Sequence, residues 1–270
     1  DLSKLGGISV KGLTLKLREG NKPPRIAETP SGILNSVGLQ NPGVDYFIKN
    51  ELPFLRRYDT RIIANISGGT IEEYCEMAEK VSDAKVDMIE LNISCPNVKA
   101  GGMAFGVLPG SAAEITAAVK KHSSVPLMVK LSPNVTDITE IARAAEDAGA
   151  DAVSLINTLL GMRIDIKTSC PVLKNNVGGL SGPAVFPVAV RMVWQVKKAV
   201  KIPILGMGGV STGDDAVEMM LAGANAVCVG TACFSDVYAP LKVIDGIKAH
   251  LIKMEIPRAA DLTGAVKDCI

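Results

Sequence analysis

Ala148-Gly149-Ala150-Asp151-Ala152-Val153 and Ala222-Gly223-Ala224-Asn225-Ala226-Val227 are the same joint written twice. In each, a helical pattern stops at a glycine, which can take the left-handed conformation that ends a helix, and an apolar run begins about two residues later. A helix–Ala-Gly-Ala–strand unit that repeats marks a wound α/β array. Outward from these joints, short apolar runs alternate with helical patterns. Strands are predicted near 7–13, 61–66, 87–93, 126–131, 152–157, 203–207 and 226–230. These runs are nearly continuously apolar, as parallel strands covered on both faces are. Thr70-Ile71-Glu72-Glu73 and Ser111-Ala112-Ala113-Glu114 read as capping boxes that start helices. After Thr70, the apolar positions Ile71, Tyr74, Cys75, Ala78 and Val81 keep a helical spacing, as do Ile138, Ile141, Ala142 and Ala145 after Thr136. Pro183 suits the entry to a helix over 184–200, and a helix over 238–253 follows the last strand.

The pattern predicts an α/β protein, a single (β/α)8 TIM-barrel domain over residues 1–270. A closed barrel has eight strands, and the runs above fall one short, so the chain is expected to lack its N-terminal first strand. An open seven-stranded sheet is the competing expectation.

Composition narrows the function. The 270 residues are 47% hydrophobic with a formal net charge of +1, which suits a large core and offers no basic face for nucleic acid or for an anionic membrane surface. No apolar run reaches the length of a membrane helix, and Asp1-Leu2-Ser3-Lys4 carries no signal-peptide pattern. The six cysteines are scattered without a Cys-x-x-Cys pair, so no metal or cluster site is expected in this chain, and a reducing cytoplasm is the simplest setting. The two histidines, His122 and His250, fall near predicted helix ends, where a cation complements the helix dipole. Neither is a good candidate for a catalytic base.

Four features carry chemistry. Gly206-Met207-Gly208-Gly209 and Gly230-Thr231 lie at the ends of the last two strands. Glycines let backbone N–H groups approach a phosphate, a following helix start adds partial positive charge, and barrel phosphate sites recur there; tight turns are the plainer reading. Cys95, in Leu91-Asn92-Ile93-Ser94-Cys95-Pro96-Asn97, sits on a strand-end loop among polar neighbours, although a lone cysteine is more often a small buried hydrophobe. Asn35, Asn65, Asn92, Asn97 and Asn157 recur where asparagine is unusual in strands. Their amides offer the donor and acceptor that match the edge of a pyrimidine or flavin ring, turn formation being the alternative for any one of them. Lys11 and Lys130 each fall inside an apolar strand run. A buried lysine needs an anion; a lysine reaching out at the barrel rim is the alternative.

The ordered set LNISCPNVKAGG (91–102), KLSPNVTDI (130–138), LINTLLGMRIDIKT (155–168), GGLSGPA (178–184), GMGGV (206–210) and VGTA (229–232) resembles the dihydroorotate dehydrogenases, in the class 1B-like form whose FMN-bearing catalytic subunit works with an iron–sulfur flavoprotein. The resemblance covers essentially the whole chain. It implies oxidation of dihydroorotate to orotate in pyrimidine biosynthesis, with a proton leaving C5 for Cys95 as base and a hydride leaving C6 for the flavin. It implies substrate contacts from Lys11, Asn35, Ser36, Val37, Gly38, Leu39, Asn92, Asn97, Asn157 and Thr158. The implied FMN contacts are Lys11, Gly12, Asn65, Asn92, Lys130, Ile156, Gly182, Gly208, Gly209, Gly230 and Thr231. FAD and a 2Fe-2S cluster are implied only on the partner subunit, in a heterotetramer around a homodimer core. The family's first strand, with its Ala-Ser-Gly-type turn, has no counterpart here. The glycines Gly101, Gly102, Gly106 and Gly110 suit a lid from Ser94 to about Pro109.

A free cysteine ionises near pH 8.5, so activity is expected to rise toward alkaline pH. The competing readings are another FMN barrel that reduces a pyrimidine, such as a dihydropyrimidine dehydrogenase domain or a dihydrouridine synthase, a cofactor-free phosphosugar barrel, and a binding protein on the same scaffold.

Overall fold

Seven parallel strands form one hydrogen-bonded ladder in the order β1 (Gly7–Ser9), β2 (Arg61–Ile66), β3 (Met88–Asn92), β4 (Leu127–Lys130), β5 (Ala152–Leu155), β6 (Ile204–Met207) and β7 (Ala226–Cys228). The structure is a computed structural model that describes residues 1–94 and 105–267. Cys95, Asn97 and most of the expected lid lie outside the described residues. From β2 onward each strand is followed by a helix: α1 (Ile71–Asp83), α2 (Pro109–Lys121), α3 (Ile138–Asp147), α4 (Phe186–Ala199), α5 (Gly213–Ala222) and α6 (Ala239–Lys253). Strand and helix alternate in parallel succession, the pattern of the (β/α)8 TIM-barrel class. β5 is buried throughout and β4 at all but its last residue, because helices cover the outer face and side chains fill the inner one. All seven predicted strands are present. No helix among the described residues is long and apolar enough to cross a membrane.

The chain forms two compact units. One comprises residues 1–21, 37–132 and 140–153, and the other residues 22–36, 133–139 and 154–270. β5 passes from the first to the second at Val153–Ser154. The second unit also holds an antiparallel sheet of Ile26–Thr29, Gly32–Asn35, Gly178–Ser181 and Leu159–Gly161, in that order.

The repeated joint behaves as its sequence requires. Gly149 and Gly223 have φ of +95° and +136°, values that favour glycine at a helix stop. Two residues later the chain locks onto the preceding strand. Asp151 donates its N–H to the carbonyl of Leu127 (2.8 Å) and accepts the Leu127 N–H on its carboxylate (2.7 Å). Asn225 does the same with Ile204, at 2.8 and 2.9 Å. Asp87 repeats it with Ile62, at 3.0 and 2.9 Å. Thus the residues entering β3, β5 and β7 each hold one residue of the previous strand by both its backbone groups. The residues entering β4 and β6 are Pro126 and Pro203, which have no N–H to give.

Helix starts correct three expectations. Thr70 caps α1 by accepting the Glu73 N–H at 3.3 Å, but the Glu73 carboxylate turns to the Gly69 N–H (2.6 Å) instead of closing a box on Thr70. Ser111 is not the N-cap of its helix: α2 begins at Pro109, so Ser111 is a buried residue of its first turn. Proline is tolerated at that first position because its missing N–H has no intrahelical partner there, and this moves the start upstream. The helix expected over 184–200 begins at Phe186, after a 3-10 turn over Pro183–Val185.

Candidate active site

In the first unit, a polar row crosses four neighbouring strands near their C-terminal ends. Ser9 (β1), Asn65 (β2), Glu90 and Asn92 (β3) and Lys130 (β4) supply it. Side chains alternate along a strand, so Glu90 and Asn92 share a face that Ile89 and Leu91 do not. Asn65 is the register partner of Glu90, and Lys130 that of Asn92. Asn65 donates its amide N–H to the Glu90 carboxylate. Ser9 Oγ lies 3.2 Å from Glu90 Oε2 and Lys130 Nζ 3.7 Å from it. Asn92 Nδ2 donates to Asn65 Oδ1 (3.4 Å), and Asn92 Oδ1 accepts from Ser94 Oγ at 2.7 Å. Of the expected site residues, the structure thus brings Asn65, Asn92 and Lys130 together. Gly12 joins them: a Cβ there would stand 3.0 Å from Asn65 Oδ1.

Lys11 departs from expectation. The ladder ends at Ser9, and Val10 and Leu13 bond to Ile63 and Asn65 backbone oxygens, leaving Lys11 on an exposed excursion between them. It is a rim lysine and not a buried one. Lys130 is the interior cation, with a side chain 18% exposed.

The Val37-Gly38-Leu39 segment is held by Asn41, which sequence reasoning passed over. Gly38 and Leu39 both have positive φ, +76° and +56°. Asn41 is 5% exposed. Its Oδ1 accepts from Thr14 N (3.1 Å) and Gly43 N (2.9 Å), and its Nδ2 donates to Thr14 Oγ1 (2.8 Å) and Leu39 O (2.7 Å). One amide therefore ties the stretch after Lys11-Gly12 to the stretch ending at Leu39. Asn41→Ala leaves several buried groups unpaired and is expected to lower unfolding free energy by roughly 2–4 kcal/mol. Urea denaturation reads this directly; an unchanged midpoint would remove Asn41 from this role.

In the second unit, the strand-end glycines pack into one another. Gly208 and Gly209 have φ of +125° and +80°. A Cβ on Gly208 would meet Ile156 Cγ1 at 3.0 Å, and one on Gly209 the carbonyl oxygen of Gly182 at 2.7 Å. A Cβ on Gly182 would stand 3.6 Å from Thr231 Cγ2. Ile156, Gly182, Gly208, Gly209 and Thr231, five of the expected FMN residues, are therefore contiguous. At Gly230 an added Cβ would meet nothing within 4 Å, so its surroundings are open. The start of α5 carries a capping box. Asp215 Oδ2 accepts the N–H groups of Ser211 (2.9 Å) and Thr212 (2.8 Å), while Thr212 Oγ1 caps the Asp215 N–H. The Ser211 and Thr212 N–H groups at this helix start are thus engaged by its own carboxylate.

Asn35 Nδ2 reaches Gly179 O at 3.4 Å, and Thr158 packs on the same glycine. Asn157 Oδ1 accepts from Thr158 N at 2.7 Å, while Asn134 holds Thr158 O (3.0 Å) and Leu160 N (2.9 Å). Ser36 is buried. Cys95 and Asn97 lie outside the described residues. Cys75 and Cys233 have their thiols pushed up, first by burial, which makes both poor thiolate sources. No cluster of metal-ligating side chains occurs among the described residues.

In the first unit amides and an interior lysine lie near strand ends, and in the second unit packed glycines do; the carboxyl ends of the strands are where small-molecule sites of the (β/α)8 class form. The sequence profile of the family described as dihydroorotate dehydrogenase matches residues 1–251, and the chain belongs to that family. It is 58% identical over 264 residues to "Dihydroorotate dehydrogenase B (NAD(+)), catalytic subunit" of Alkaliphilus oremlandii (strain OhILAs), covering 98% of this chain and 87% of that protein. Proteins of the same description are 56% identical over 267 residues in Thermoanaerobacter sp. (strain X514), covering 99% and 88%, and 54% identical over 265 residues in Anoxybacillus flavithermus (strain DSM 21510 / WK1), covering 98% and 85%.

Proposed function

We propose that this chain oxidises dihydroorotate to orotate in pyrimidine biosynthesis as the FMN-bearing catalytic subunit of an NAD-linked dihydroorotate dehydrogenase. Beyond family membership, one observation carries the reading: the interior row of Asn65, Asn92 and Lys130, where donor, acceptor and cation line up at adjacent strand ends. The residues fit FMN. The glycines Gly182, Gly208 and Gly209, with the open surroundings of Gly230, suit a phosphate that only backbone can approach. The amide and ammonium groups suit the polar edge of an isoalloxazine ring.

In this reading Ile156, Gly182, Gly208, Gly209, Gly230 and Thr231 hold the phosphate end of FMN, and Lys11, Gly12, Asn65, Asn92 and Lys130 hold its ring. Bound FMN supplies the acceptor for the hydride from C6. Cys95, as thiolate, takes the proton from C5. Asn35, Ser36, Val37, Gly38, Leu39, Asn92, Asn97, Asn157 and Thr158 orient the pyrimidine, and Lys11, on its exposed excursion, faces the substrate carboxylate. Lys130 stabilises negative charge that develops during transfer, a contribution that grows where water is excluded. Electrons leave through an iron–sulfur flavoprotein carrying FAD and a 2Fe-2S cluster, in a cytoplasmic heterotetramer around a homodimer core.

Anaerobic mixing of the FMN-loaded protein with dihydroorotate tests the reaction. The expected result is loss of the visible flavin band with one orotate formed per flavin. A loaded protein bleached by another dihydropyrimidine and not by dihydroorotate would reassign the substrate. A protein that takes up no FMN would overturn the cofactor.

A further inference from the structure

Glu90 lies mid-strand in β3 and is 0% exposed. A carboxylate there is costly unless it is paired, and its pairing is directional. A carboxylate can only accept, so Asn65 must turn its NH2 toward Glu90. That sends Asn65 Oδ1 the other way, where it receives Asn92 Nδ2. Asn92 Oδ1 is thereby aimed at Ser94, whose Oγ and N it accepts at 2.7 and 3.3 Å. The same Glu90 oxygen lies 3.7 Å from Lys130 Nζ and 3.2 Å from Ser9 Oγ. One buried charge thus sets the polarity of two successive amides and anchors an ammonium, and the relay ends on the residue before Cys95.

We propose that Glu90 is a positioning residue: it fixes which end of the Asn65 amide, and through it of the Asn92 amide, each neighbour meets. The proposal rests on the reading that Asn65 binds FMN. Glu90 need not touch flavin or substrate; it acts through Asn65.

A double-mutant cycle on FMN affinity, followed by flavin fluorescence, tests it. Glu90→Met removes the acceptor and is expected to weaken FMN binding about tenfold or more, the scale of lost hydrogen bonds to a charged group. Glu90→Gln keeps an acceptor oxygen and should recover most of that affinity. In an Asn65→Ala background, Glu90→Met should then have little further effect, because the amide it orients is gone. Equal weakening by Glu90→Met with and without Asn65, or unchanged FMN affinity with only a lower melting temperature, would overturn the positioning role. If Asn65→Ala itself leaves FMN affinity unchanged, the flavin role of Asn65 fails, and this inference with it. Should Glu90→Met fail to fold, Glu90→Met with Lys130→Met removes both charges together. The same cycle is then run against Lys130→Met alone.

Discussion

Cys95→Ser is expected to slow flavin reduction by dihydroorotate at least roughly a hundredfold, the scale of a lost general base, while FMN uptake survives. Serine keeps the size of the side chain and offers a hydroxyl in place of a thiol, so the change isolates proton transfer. Cys75 is in α1 and Cys233 in the short turn after Gly230, and burial pushes both thiols up. Ser94, the residue before Cys95 in the sequence, is bonded to Asn92. Stopped-flow reduction at the wild-type rate in the variant would refute the assignment. The pH profile is a companion to the same experiment: if a thiolate is the base, the wild-type rate climbs as the thiol ionises, and the serine variant loses that limb.

Gly209→Ala is expected to abolish tight FMN binding and to lower stability by about 2–3 kcal/mol, combining a left-handed backbone penalty with overpacking. The glycine has φ of +80°. An added Cβ would stand 2.7 Å from the Gly182 carbonyl, 2.8 Å from Phe186 Cβ and 3.0 Å from Phe186 N. Two of those three neighbours are backbone, so no side chain can swing aside to relieve the contact. The displaced segments carry Gly182 and Gly208, both in the proposed phosphate site. Equilibrium dialysis with FMN and thermal melting of the apoprotein check the two halves separately. Wild-type values in both would show that these glycines serve no cradle.

How much of this was legible in the sequence follows from the kind of signal each feature leaves. Strands were legible because burial on both faces writes an unbroken apolar run, as in Leu127–Lys130 and Ala152–Leu155. Helix stops at Gly149 and Gly223 were legible because positive φ favours glycine. The start of α2 was misread because Ser111 and Glu114 have capping spacing while Leu108-Pro109 begins the helix. At Thr212 the reverse holds: a true capping box with Asp215 is present where the sequence reading marked only the start of a helix.

Lys130 was singled out because a charge interrupts an apolar strand. Glu90 interrupts its strand in the same way, between Ile89 and Leu91, and the same rule applied to acids would have found it. Lys11 misled because the apolar run continues past the end of the ladder, where the backbone leaves the strand and carries the lysine outward. Asn41 left no signal, since nothing in its neighbours predicts that one amide will satisfy four groups brought together only by folding. Cys95, by contrast, rests on sequence and family alone.

The residues that enter successive strands read Asp87, Pro126, Asp151, Pro203, Asn225, acceptor and imino acid by turns. The wall therefore has a grain. It is stapled at every second seam along its amino-terminal rim, and at the intervening seams a proline stands where the staple would be. A one-residue slip at a stapled seam would forfeit two bonds at once and turn the interior side chains outward, so those seams choose their alignment alone. The natural brick is the strand–helix–strand dyad, and scissions or insertions between dyads should be borne better than those within one.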